Sequence, residues 1–188
     1  MKNIFFLLRQ LLGLSALSLL TITATAQTDP VKKANETNEA KADKGVVDED
    51  VAEFLVKSAD ARMMDIKEGK MAISKASSKD LQDYGRLMVK DQTMLLDEIK
   101  KLASKVNVTL PMGISEEKQE GQEDLSEESG IDFDEKFIKM MKIDHERDIK
   151  LFKKAIDCTE PSVSAFAKKY LPLIESHLAK IEAIKKKS

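Results

Sequence analysis

The chain has 188 residues, of which 34% are charged, with a formal net charge of −2 and a single cysteine. That mild acidity argues against nucleic acid as a partner, and one cysteine cannot form an internal disulfide. Tryptophan is absent and Gly and Pro are few, while Lys, Glu, Ala, Leu and Met abound, which is the composition of an all-α protein.

Residues 1–26 read as a secretory signal. Lys2 supplies a basic start, "LLGLSALSLL" (11–20) an apolar stretch, and "ATA" (24–26) a small-x-small cleavage pattern, so the mature chain is expected to begin at Gln27. Arg9 interrupts the apolar run, and what remains is short for a bilayer span. No second long apolar run follows. The chain is therefore expected to be exported to the periplasm or cell envelope, with no transmembrane segment in the mature part.

Residues 27–47 are polar, lack a sustained apolar period and read as a flexible tether. A four-helix bundle domain is expected over 48–187. The first of its helices, 48–76, has a stripe of Leu55, Ala59, Met63, Ile66, Lys70 and Ile73, with Val51 and Phe54 beside its start. The second, 79–106, begins at Ser77 or Ser78 and turns Leu81, Tyr84, Met88, Gln92, Leu95, Ile99 and Leu102 inward. The third, 132–157, carries Phe137, Met141, His145, Asp148, Phe152 and Ile156. After "CTEPS" (158–162), with Thr159 as expected N-cap, the fourth spans 161–186 with Phe166, Tyr170, Leu173, His177, Ile181 and Ile184 inward. Spacings of three and four run through all four stripes.

The first and last helix pairs are joined by very short loops and should form antiparallel hairpins. Residues 107–131 join the hairpins and contain "SEEKQEGQEDLSEES", which reads as a short acidic helix. A connection of that length can run the length of the bundle, and one long crossover is the ferritin-like arrangement; an up-down-up-down bundle with the loop folded on one end is the alternative. The acidic run lacks the Asp/Asn-rich loop with a central Gly that a calcium hand needs.

Three inward positions are polar: Gln92, His145 and His177. A buried polar group without a partner costs about 1–3 kcal/mol. These three must therefore be satisfied by one another, by water or by a ligand. A di-iron carboxylate site takes Glu-x-x-His from each of two helices and a Glu from each of two more. Here Lys142 stands three before His145, and Ile174 three before His177. Asp148 offers only a reversed pair with His145, and Asp91 and Asp144 can only flank the site. Lys67 lies near the first stripe, where an ammonium repels a cation. The three polar residues can satisfy one another without metal, so no cofactor is required. Iron or zinc on His145, His177, Asp148, Asp144 and Asp91 is the alternative.

The stretches "EGKMAISKAS" (68–77), "RLMVKDQT" (86–93), "NVTLP" (107–111), "KIDHERDIKLF" (142–152) and "SVSAFAKKYLPLIESHL" (162–178), with the signal, carry a family likeness. From about Phe54 to Ile184 the chain resembles the exported bacterial ferritin-like family labelled "predicted outer membrane protein", a domain of unknown function. The resemblance implies a four-helix ferritin-like bundle outside the cytoplasm. It also implies Asp-His in the second and third helices, a His in the fourth and a Glu two residues before the glycine of the first. This chain keeps Asp144, His145 and His177, but has Asp91-Gln92 and Lys67 at the other positions.

These residues favour a non-enzymatic structural or interaction protein with a degenerate polar core, whose partner is an envelope component or a second copy. The alternative is a metal-binding redox or storage protein using His145 and His177.

Overall fold

The computed structural model describes residues 28–186. The signal-like segment 1–26 lies outside the described residues. Six helices follow: α1 (Pro30–Ala42), α2 (Glu49–Lys75), α3 (Lys79–Lys105), α4 (Glu116–Glu127), α5 (Gly130–Ile156) and α6 (Pro161–Lys185). The four long ones, α2, α3, α5 and α6, are the expected bundle. No described helix is long and apolar enough to cross a membrane.

The direction of each helix can be read from its contacts. Lys154, near the end of α5, reaches Asp50 and Glu53 at the start of α2. Asp134, near the start of α5, accepts from Ser77 and Ser78 just past the end of α2. Those two helices are therefore antiparallel. Along α3, Tyr84 and Asp91 meet His177, while Glu98 meets Tyr170, so α3 and α6 are antiparallel as well. The path is up-down-down-up. The connection from α3 to α5 travels the length of the bundle, the single crossover of ferritin-like topology.

The acidic segment of that crossover folds as α4, which is tied down at both ends. Ser115 donates from N and Oγ to Asp60, and the Glu116 amide donates to Asp29. At the other end Lys75 and Lys136 donate to the free carbonyls of Ser126, Glu128 and Asp124, where cations offset the helix dipole. Leu125 is the apolar anchor, fully buried against the bundle.

The described part of the expected tether, 28–47, is largely helical rather than flexible. It contains α1, whose N-terminal amides are capped by Asp29. Asn38 replaces an apolar contact with two hydrogen bonds to the backbone of Thr109, each 2.8 Å. A buried amide that pairs with a main chain leaves no apolar period to read. Of the two N-cap expectations, one holds in position and one changes. Ser78 holds the N-cap position of α3, but the side chain that bonds there is Asp134. The N-cap of α6 is Glu160 rather than Thr159, its carboxylate accepting from Ser162.

The core is two apolar clusters, one at each end of the bundle. One gathers Val51, Phe54, Leu55, Leu95, Ile99, Phe152, Phe166 and Ile174. The other gathers Ala72, Leu81, Tyr84, Met88, Phe133, Phe137, Met141 and Ile181. Aromatic edges pack within each, as in Phe54 against Phe152 and Tyr84 against Phe137. Beside the second cluster, helices α2 and α3 meet at backbone distance. A Cβ on Gly85 would stand 2.6 Å from the Gly69 carbonyl, and one on Gly69 would stand 2.9 Å from the Gly85 carbonyl. Neither carbonyl can move without shifting a helix. Gly85→Ala should therefore destabilise the fold by about 1–3 kcal/mol or more, read as a lower urea midpoint. An unchanged midpoint would mean that the helices do not cross there.

Candidate functional site

A polar layer separates the two clusters. Arg62, Asp65 and Glu68 enter it from α2, Gln92 from α3, His145 and Asp148 from α5, and His177 from α6, all buried. Asp91 and Asp144 flank it, with 15% and 21% of their side chains exposed.

The stripe expected on α2 holds at Leu55 and Ala59, with Val51 and Phe54 beside it, and leaves the inward face beyond them. Met63, Ile66 and Ile73 are only partly buried, and Lys70 is exposed. The face that packs inward is Val51, Leu55, Ser58, Arg62, Asp65, Gly69 and Ala72, with Glu68 beside it. Those residues also recur at threes and fours. Charge in the middle of the row hid it, and the small residues Gly69 and Ala72 were the signal that marked it. Lys67 faces outward and donates to Gln122 on α4 at 3.0 Å, so it does not confront the layer.

Arg62 is the centre of the layer. Its guanidinium is completely buried, and its Nη2 donates to Asp148 Oδ2 from α5 while lying 2.9 Å from Asp65 Oδ2. Asp148 thus answers Arg62 rather than His145. Removing one member of such a pair costs about 3–5 kcal/mol, because the other charge is left buried and alone.

The two histidines lie together, with ring centroids 5.7 Å apart and planes at 77°. His145 Nδ1 lies 2.7 Å from the Met141 carbonyl, which can only accept, so Nδ1 carries the hydrogen. His177 Nε2 lies 3.0 Å from the Asp91 carboxylate and donates to it. Each ring is thereby left with one lone-pair nitrogen, His145 Nε2 and His177 Nδ1, both buried and without a protein partner. Gln92 makes no hydrogen bond to either imidazole. Its amide, both Glu68 oxygens, and Arg62 Nε and Nη1 also lack protein partners. Spare donors on Arg62 and Gln92 therefore share one layer with spare acceptors on Glu68, Gln92 and the imidazoles. Small rotations or bridging water can join them.

Burial sets the protonation states. It pushes His145 down to about 4 and lowers His177, against which the Asp91 carboxylate works only in part. Both imidazoles are therefore neutral near pH 7. Burial first, and then the charges of Asp65 and Asp144, raise Glu68 well above the usual carboxylate range.

The residue set does not match a di-iron carboxylate centre. Lys142 and Ile174 occupy the positions where Glu would stand, and a guanidinium already lies among the carboxylates. As the side chains stand, no three His, Cys, Asp or Glu come together to hold an ion among the described residues. Access is limited too. A groove of about 690 Å³ beside α2 and α5 is lined by Asp60, Met64, Lys118 and Asp144 and reaches Asp65 and Asp148. Neither imidazole, nor Glu68, nor Gln92 lines it.

These states give the fold a pH dependence. A depressed imidazole contributes stability that is complete above about pH 6.5 and is lost as pH falls toward its folded value. For His145 the loss should reach about 3 kcal/mol by pH 4, at 1.36 kcal/mol per unit. Glu68 acts oppositely: its contribution is present at acid pH and is lost as pH rises. His145→Asn keeps a donor for the Met141 carbonyl and cannot be protonated. Urea unfolding of this variant should show a shallower fall between pH 6.5 and 4 than wild type. Equal slopes would mean that His145 is charged in the folded protein.

No curated protein and no solved structure matches the chain. A family model, described as a domain of unknown function, matches residues 35–184, which take in all of the bundle helices and most of α1. The chain belongs to that family, DUF4142.

Proposed function

We propose that the protein is an exported, non-catalytic component of the cell envelope, a ferritin-like bundle whose polar layer is an internal structural network. The signal-like residues 1–26 and the family resemblance support export. One observation carries the rest: a fully buried arginine, paired with carboxylates from two helices, lies in the layer where a ferritin-type bundle would hold its metal. The imidazoles are also sealed from any substrate, His145 fully buried and His177 1% exposed, and face only other core groups. General acid–base work needs a group within hydrogen-bond reach of the substrate. Its partner, an envelope component or a second copy, would meet the outer surface and the acidic crossover.

A second reading has one observation in its favour. Each imidazole holds its hydrogen toward an outer acceptor and keeps its other nitrogen unpaired, as metal-ligating histidines do. On that reading iron or zinc would sit on His145 and His177.

Glu68→Gln separates the two. An internal network gains stability at pH 8 from this change, because the cost of ionising a buried carboxyl disappears. A metal centre on the two imidazoles that also takes Glu68, whose oxygens have no protein partner, loses a ligand, and with it metal and stability. Thermal melts and elemental analysis of protein purified without chelators read both outcomes. Stoichiometric metal in wild type, absent from a His145→Ala/His177→Ala variant, would overturn the network reading. For export, N-terminal sequencing of the protein recovered from the envelope fraction should begin at Gln27; an intact Met1 would contradict it.

A further inference from the structure

Arg62 Nη2 is a single cationic atom on which carboxylate oxygens from two helices close in, Asp65 from α2 and Asp148 from α5. Around it, Glu68 offers two unpaired oxygens, and His145 and His177 offer one unpaired nitrogen each. These groups are nine-tenths or more buried. One buried cation thus faces the carboxyl groups of Asp65, Asp148 and Glu68, oxygen donors of the kind a metal ion takes, with Asp91 and Asp144 at the rim.

The imidazole spacing fits one as well. With metal–nitrogen bonds of about 2.0–2.1 Å, two imidazoles on a tetrahedral ion hold their centroids roughly 5–6 Å apart. The observed separation is 5.7 Å. The outer nitrogens are already fixed by Met141 and Asp91, so ring orientation is settled before any ion arrives. What prevents three donors from converging is the guanidinium, which occupies the layer and holds Asp65 and Asp148 to itself.

We propose that Arg62 is the resident cation of this layer, standing in the place of a divalent metal and excluding one, and that His145, His177, Glu68, Asp65 and Asp148 form a latent nitrogen–oxygen metal site beneath it. This deepens the network reading and rests on it. The ion suited to such donors is of the zinc or cobalt(II) kind, because neutral imidazole and carboxylate are its ordinary ligands.

The test is Co²⁺ and Zn²⁺ binding to wild type, Arg62→Ala and Arg62→Lys, each as the mature chain. Removing the guanidinium leaves Asp65 and Asp148 unpaired, which weakens folding of Arg62→Ala without metal. Recovery of its helical circular dichroism by Zn²⁺ is then itself the readout. The expected result has three parts. Arg62→Ala binds a single Co²⁺ with the visible absorption of a tetrahedral ion and melts several degrees higher with Zn²⁺. Arg62→Lys, which keeps the charge, binds none. Adding His145→Ala and His177→Ala to Arg62→Ala abolishes the absorption. If Arg62→Ala neither binds Co²⁺ nor gains helix or melting temperature with Zn²⁺, the latent site is refuted while the network reading stands. If wild type itself takes up stoichiometric Co²⁺, both are overturned, because Arg62 then excludes nothing.

Discussion

The structure depends on a guanidinium held in the dark. Arg62 reaches from α2 to Asp148 on α5, 86 residues away in sequence, at a point from which solvent is excluded. Such a pair adds little net stability, because taking the ions out of water offsets their attraction. The stabilising area lies in the two apolar clusters to either side. What the pair supplies is register. Sliding α5 by one turn against α2 would leave a guanidinium and two carboxylates buried among apolar side chains, a state far costlier than the aligned one.

The rest of the bundle serves that alignment. Gly69 and Gly85 let α2 and α3 approach at backbone distance, immediately beside Glu68. That crossing sets which face of α2 turns inward, and so which charges enter the layer. The crossover helix α4 lies outside, held by Asp60 and Asp29 at its start and by Lys75 and Lys136 at its end. Its ties are polar and partly exposed, apart from Leu125. Like α1, which buries only Ala34 and Asn38, it has little apolar anchorage.

Chemically the layer is poised rather than idle. Two neutral imidazoles, a carboxyl whose pKa is raised and an amide lie beside a fixed positive charge. Burial is the largest cause of these shifts, and the same burial keeps substrates away. The layer is electronically prepared but sterically closed.

Much of this was legible in the residues. Apolar rows at threes and fours located four long helices, the two short hairpin turns and the long acidic connection that forms α4. Because apolar periodicity is a local property, it placed most of the inner faces of α3, α5 and α6, including Gln92, His145 and His177; Leu173 and Ile156 are only partly buried, and Ile174 takes the inward place beside Leu173. It failed where the inward residue is polar and its partner is distant. Asn38 in α1 is buried because Thr109 pairs with it, and Arg62, Asp65 and Glu68 face inward because α3 crosses at Gly85 and α5 brings Asp148. A charged side chain carries no sign of its burial, since the free energy that permits it belongs to a group elsewhere in the chain. The helices, their order and the polar positions on three of them were set by the sequence alone. The face of α2, and the arginine at the centre of the layer, were decided only when the helices packed.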